Sequence, residues 1–266
     1  MGGRLKTSLS DHSGLLLSWK KEASGISGRA ENLFFRVTLY GDSIFRVQLT
    51  REDFFEDFSY SIVATPAESE INVADSHDVI RITTSKVVLL IRKNPVTFHF
   101  QNLQGQTINQ DDDAFGTSWI GDQVTTYKKL QEGERFIGLG EKTGPLDRRG
   151  FGYTHWNTDN FGYTSGSDPL YCSTPFYIGL HHNLCYGIFF DNTHKTFFNF
   201  GASNNRFASF SADAGEMDYY FMYGDSVRDV LKYYSHLTGR MEMPPLWSIG
   251  YQQCRYSYYP DKEVIN

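Results

Sequence analysis

The residue pattern of this 266-residue chain dictates a mainly β protein: an aromatic-rich sandwich of many short strands, closed by a single helix. Apolar side chains alternate with polar ones in short runs bounded by turn residues, the period-two signature of half-buried strands. Aromatic residues make up 16% of the chain, with 21 Phe, 17 Tyr and 4 Trp, which suits sheets with large packed faces and also suits sugar-binding surfaces. Helical spacing is confined to one segment near the C-terminal end.

Residues 33–49 place Phe35, Val37 and Leu39 on one face, turn at Gly41-Asp42, and return with Phe45, Val47 and Leu49 on one face, which predicts a hairpin. Residues 79–84, 87–91 and 96–100 repeat the alternation around Thr84-Ser85-Lys86 and Lys93-Asn94-Pro95, an antiparallel meander. Residues 176–180 and 185–190 flank His181-His182-Asn183 as a further hairpin, and 197–200 and 219–222 supply later strands. Up to residue 224 nothing reads as a helix. Val227, Val230, Leu231, Tyr234 and Leu237 then fall at helical spacing, behind Asp225 or Ser226 as N-cap and ahead of Gly239 as the stop. Met217, Met222, Met241 and Met243 are expected to fill gaps in the core.

After this helix, Pro244-Pro245, an apolar run from Leu246 and an aromatic stretch ending at Pro260 read as linker, buried strand and strand-end loop. A single strand needs partners for its backbone groups, so its sheet is expected downstream or in another chain. The expected organisation is a sandwich over 1–224, a connecting helix and linker over 225–242, and the start of another domain over 243–266.

Composition narrows function. The net charge of -6 and a pI near 5.7 argue against nucleic acid, which is gripped by Lys and Arg on phosphates. A mean hydropathy of -0.43, with no apolar run near the ~20 residues of a bilayer span, argues against a membrane. Residues 1–25 hold only Leu15-Leu16-Leu17 as an apolar cluster, too short for a signal-peptide core. Cys172, Cys185 and Cys254 are odd in number and widely spaced, so a reducing, cytoplasmic setting is expected rather than a disulfide framework.

Among local motifs, Gly138-Leu139-Gly140-Glu141-Lys142-Thr143-Gly144 lacks the Gly directly before Lys that a phosphate-cradling loop needs, and reads as a structural turn. His155, His181, His182 and His194 have no metal-ligand spacing and are expected on solvent-facing turns; no metal or cofactor is expected. Asp168, before Pro169, reads as an Asx-turn residue. Residues 154–163 differ, because Trp156, Asn157, Asp159, Phe161 and Tyr163 mix hydrogen-bonding side chains with aromatic rings in a Gly-flanked loop. A pyranose presents hydroxyl edges for the former and C–H faces for the latter. An ordinary polar loop with aromatic anchors stays open beside that reading.

Phe136-Ile137-Gly138-Leu139-Gly140-Glu141-Lys142-Thr143, Leu146-Asp147-Arg148-Arg149-Gly150, Trp156-Asn157-Thr158-Asp159, Asp168-Pro169-Leu170-Tyr171 with Thr174-Pro175-Phe176, and Pro245-Leu246-Trp247 through Pro260 together resemble the α-glucosidases of glycoside hydrolase family 31. The resemblance covers roughly residues 30–266. It implies a galactose-mutarotase-like β-sandwich followed by a (β/α)8 catalytic barrel, of which only a first strand, Trp247 to Gln252, would be present. It further implies a retaining α-glucosidase whose catalytic aspartates lie on later barrel strands, beyond Asn266, so the chain alone would be inactive. Asp159 would accept hydrogen bonds from sugar hydroxyls, with Trp156 beside it. Arg255 would lie just past the first barrel strand, with a packing role open. The implied partners are an α-glucoside oligosaccharide and the rest of the barrel; a stand-alone carbohydrate-binding module and an α-xylosidase parent are the competing readings.

Overall fold

A computed structural model describes residues 11–54, 57–67 and 71–252 and resolves the alternating pattern into nineteen strands. The N-terminal five are β1 (Asp11–His12), β2 (Leu16–Glu22), β3 (Gly25–Ala30), β4 (Phe34–Leu39) and β5 (Ile44–Thr50). A meander follows as β6 (Asn72–Asp75), β7 (Val79–Thr83), β8 (Val87–Lys93), β9 (Val96–Asn102) and β10 (Thr107–Gln110). Next come β11 (Thr117–Ile120), β12 (Gln123–Lys129), β13 (Arg135–Gly138) and β14 (Gly152–His155). The last are β15 (Phe176–His181), β16 (Leu184–Phe190), β17 (Thr196–Asn199), β18 (Phe207–Ala212) and β19 (Met217–Gly224), before the helix α1 (Val227–Thr238).

An eight-stranded antiparallel sheet, ordered β13-β15-β16-β19-β5-β4-β3-β2, is faced by two smaller sheets, β10-β9-β8-β7-β6 and β1-β11-β12-β18-β17-β14. Aromatic rings knit the layers together. Phe221 of the large sheet stacks on Phe100 of the five-stranded sheet at 3.8 Å, and Phe35 meets Phe98 edge-on at 5.8 Å. Tyr219 meets Phe210 and Tyr177 meets Phe198 across to the six-stranded sheet, at 5.4 and 6.0 Å. The predicted hairpin forms, with Val37 opposite Val47 and Phe35 opposite Leu49. The turn between β15 and β16 uses His182 and Asn183 at φ 46° and 60°, the left-handed pair that matches strand twist in a tight hairpin.

Every residue of β5 is buried, because the sheet is covered on both sides there. Phe45, Val47 and Leu49 face the inter-sheet core, while Ile44 joins Tyr220, Met222, Val230 and Leu237 in a second cluster under α1. The helix begins where Ser226 accepts from the Asp229 amide and stops at Gly239, whose φ of 83° suits a residue without Cβ. Val230 and Leu237 are buried as the spacing predicts, whereas Val227 and Leu231 lie largely exposed.

Two expectations are corrected. Residues 247–252 do not form a strand: Leu246–Ile249 is one 3-10 turn, and Leu246, Trp247, Ile249 and Tyr251 are 82, 76, 67 and 86% exposed. No described strand lies beside this segment, and an extended backbone without ladder partners has no advantage over a turn that bonds Ser248 N to Pro245 O. Met217 and Met222 fill the core, but Met241 and Met243 are exposed, since they follow the helix where no described element packs on them.

Candidate functional site

The sequence that joins β13 to β14 reverses sharply at Gly138, Leu139 and Gly140, with φ of 127°, 69° and 66°. A Cβ on Gly138 would lie 2.7 Å from the Phe176 carbonyl, so only glycine lets β13 approach β15 this closely. This turn delivers Lys142 to the end of β14. Its ammonium, nearly sealed from solvent, donates to Thr154 O and to Asp168 Oδ1 at 2.6 Å, and Asp168 Oδ2 accepts from the Thr154 amide. Arg148 reinforces the turn by donating to the carbonyls of Thr143 and Pro145, both at 2.8 Å. Lys142 is therefore a clamp, as a structural turn requires. Asp168, expected as an Asx-turn residue, instead bridges two segments and ties both ends of the intervening loop to the sheet.

The loop held in this way carries Trp156, Asp159, Phe161 and Tyr163 into solvent; Trp156 is 54% exposed and Phe161 93%. Tyr163 and Tyr171 meet edge-on at 6.1 Å. The Tyr171 phenol is held above its ordinary value by desolvation first, then by the negative fields of Asp159, Tyr163 and Glu141, which places Asp159 among these rings. Exposed carboxylate, amide and ring faces on a braced loop can receive hydroxyl hydrogens and stack against an apolar ring face. Arg255 lies outside the described residues, as does Cys254.

Beneath Trp156 lies a cavity of about 420 Å³, walled by His155, Ser173, Pro175, Phe189 and Asp191. His155 is 3% exposed and His181 6%, which corrects the expectation of solvent-facing turn residues; each sits in a strand with its ring turned inward, whereas His182 and His194 are exposed. His155 Nε2 donates to Leu139 O at 3.3 Å, and its ring stands edge-on to Phe198. Burial, reinforced by the Lys142 charge, lowers its pKa to about 4, so the imidazole is neutral near pH 7. Sequence reasoning missed the clamp and this cavity. Asp191-Asn192-Thr193-His194 reads as a plain turn, and only the fold brings it against His155 and Ser173.

Residues 34–199 match the family described as the glycosyl hydrolase 31 N-terminal galactose mutarotase-like domain. The alpha-glucosidase 2 of Bacillus thermoamyloliquefaciens is 36% identical over 207 residues, 77% of this chain and 26% of that protein. The alpha-xylosidase XylQ of Lactiplantibacillus pentosus is 32% identical over 151 residues, 55% of this chain and 19% of that one. The structure of a GH31 dextranase from Flavobacterium johnsoniae, complexed with glucose, superimposes with a TM-score of 0.88 at 29% identity, over 96% of this chain and 32% of that chain. The chain thus spans about a fifth to a third of the length of these relatives. With more than half of its residues inside the family match and its three sheets superimposing on a member's structure, this chain belongs to glycoside hydrolase family 31, as the N-terminal galactose mutarotase-like domain.

Proposed function

We propose that the chain is the N-terminal sandwich of a retaining α-glucosidase that releases terminal α-linked glucose from oligosaccharides, and that it supplies one wall of the sugar pocket. The observation that carries this reading is the loop of residues 156–163, braced by the Lys142–Asp168 clamp and presenting Trp156 and Asp159 outward. Asp159 positions the sugar by accepting from its hydroxyls. It does not cleave, because retaining hydrolysis needs two carboxyl groups ~5 Å apart across the scissile bond, which we assign to later strands of a barrel outside this chain. In this division, residues 1–224 are assigned to the sandwich, 225–242 to the connector and 243–266 to the beginning of the barrel, with Arg255 a candidate for substrate binding or for packing. A reducing, cytoplasmic setting accords with the exposed free thiol of Cys172.

Support comes from the 36% identity to a protein named alpha-glucosidase, while the similarity to an alpha-xylosidase keeps a second substrate class in view. The test is a paired assay of the full-length enzyme on aryl α-glucoside and aryl α-xyloside, with Asp159→Ala beside the parent. Loss of a hydrogen bond to a charged group predicts kcat/KM lower by about tenfold to a hundredfold, with unchanged stability. Unchanged kinetics would leave the loop only a bracing role. The 266-residue chain alone should not turn over either substrate, and turnover would refute the assignment of the carboxylates to the barrel.

A further inference from the structure

Helix α1 packs on β16 and β19, in the middle of the eight-stranded sheet, and leaves the outer face at the β4-β3-β2 end without a helix over it. Strand pairing sets the side chains there in rows: Arg29 stands opposite Ser18 and Phe34, and Ser27 opposite Lys20 and Arg36. The residues that alternate with them, Ile26, Ala30, Phe35 and Val37, belong to the core on the other side. The segment after β5 folds back and sets Phe54 against Arg36. The result is a groove of about 480 Å³ walled by Ser27, Arg29, Phe34, Arg36, Asp53 and Phe54.

Two guanidinium groups in this groove are held alike. Arg36 lies over the Phe54 ring at 4.2 Å and Arg29 over the Phe34 ring at 5.4 Å. A ring face steadies the positive charge but offers no lone pair, so the N–H edge of each guanidinium still needs an acceptor. Neither arginine makes a hydrogen bond or an ion pair among the described residues. The carboxylates nearby are already engaged: Glu22 accepts from Ser27 Oγ at 2.6 Å and pairs with Lys20 at 3.0 Å, Asp57 pairs with Arg46 at 2.8 Å, and Asp53 accepts from the Phe54 amide at 2.9 Å.

The groove therefore lacks acceptors, and a planar fork of donors suits an oxyanion that can take two parallel N–H bonds, a carboxylate or a phosphate. Half-buried Phe34 and Phe54 make the walls partly apolar, which favours an anion carried on an organic body over a bare ion. A volume of about 480 Å³ falls among those of small-molecule sites, roughly 300–1,000 Å³. The net charge of -6 on the whole chain disfavours a long polyanion.

We propose that this groove binds a small organic anion whose carboxylate or phosphate is held by the N–H edges of Arg29 and Arg36. None of its walls comes from the loop of residues 156–163, so it stands apart from the function proposed above.

The experiment titrates the 266-residue chain with D-glucuronate, with α-D-glucose 1-phosphate and with neutral methyl α-D-glucopyranoside, followed by backbone amide shifts in NMR. Saturable binding of at least one anion at about millimolar concentration is expected, about tenfold or more tighter than the neutral sugar, with shifts centred on residues 18–36 and 53–54. The tighter anion identifies the oxyanion. Arg36→Met, which keeps an apolar stem on Phe54 but removes the fork, should weaken binding about tenfold or more, and Arg36→Lys should not restore it. Arg81→Met removes an equal charge from an exposed position outside the groove and should leave binding unchanged. Near-UV circular dichroism identifies any variant whose fold has changed, and Arg29→Met decides the matter if Arg36→Met does not fold. Absence of saturation by both anions, equal binding by Arg36→Met, or an equal loss from Arg81→Met, which would reduce the effect to general attraction, would overturn the proposal. So would shifts centred on residues 156–163, which would place the anion at the sugar wall instead.

Discussion

Among the described residues two lysines are almost fully removed from solvent, and each pairs with an aspartate at 2.6 Å, yet one lies between the sheets and the other under a surface loop. Lys128 lies between the sheets, where its ammonium also donates to Tyr219 OH at 2.9 Å and Asp111 accepts from the Phe98 amide. Lys142 lies under the surface loop and holds Asp168, whose carboxylate stays partly in water. Around Lys128 and Asp111 each charged group reaches protein partners. Around Lys142 the clamp is complete as well, but the loop it holds carries Trp156 and Phe161 into solvent. The first pair is closed inside the sheets and the second braces an exposed surface, so groups able to meet a ligand are concentrated at the second.

The largest effect expected from breaking this contrast is in the core. Asp111→Ala strands the Lys128 charge in an apolar interior and removes the acceptor of Phe98 N, and breaking a buried pair from one side costs about 3–5 kcal/mol. Urea unfolding should show that loss. The double variant Asp111→Leu with Lys128→Met should recover most of it, because burying neither charge avoids the desolvation cost. A single variant as stable as the parent would show that the pair contributes nothing net.

Titration sharpens the comparison, since burial moves the pKa of Glu134 in the core and of His155 beside the loop in opposite senses. Glu134, packed in the core against Tyr186 OH at 2.6 Å, is raised to about 7. Its folded value exceeds its unfolded ~4.3, so the folded state holds the extra proton and stability from this carboxyl falls as pH rises from about 4 to about 7. His155, in the cavity, is lowered to about 4 against an unfolded ~6.5, so its contribution rises with pH over nearly the same window. Each amounts to about 3 kcal/mol, and these two contributions offset each other. Relative to the parent, urea midpoints between about pH 4 and 7 should therefore slope more upward with pH in Glu134→Gln and more downward in His155→Gln. Changes of slope in the same direction in both variants would defeat this account.

The sandwich was largely legible in sequence because its signal is local. Alternation in β4, β7 and β9 reports one buried face, and the Ser226-to-Gly239 frame reports a capped helix. Strands such as β2, with exposed positions throughout, and β12, written Gln-Val-Thr-Thr-Tyr-Lys-Lys, escape because Lys128 occupies an inward position and breaks the apolar alternation. The loop aromatics and Asp159 announced themselves by composition. The cavity did not: Ser173, Asp191 and His155 come from three separate segments, and no spacing rule links residues that meet only through the pairing of β15 with β16 and β14 with β17. His155 also misled, since histidine is common on surfaces and its burial here depends on Phe198 beneath it.

The smallest effect, and the one most specific to the loop, belongs to Lys142→Met. Methionine keeps much of the apolar stem, but Thr154 O and Asp168 lose their shared donor; hydrogen bonds to a charged group contribute about 1.5–3 kcal/mol, reduced here because Asp168 can turn to water. The core pair is untouched, so the loss should stay local. Hydrogen exchange at the amides of residues 154–168 should speed up by about tenfold, while the urea midpoint moves far less than in Asp111→Ala. A global loss matching that of Asp111→Ala would show that the loop and the sandwich unfold as one unit. The clamp would then be part of the core, and the contrast between a closed interior pair and a separately braced recognition loop would fail.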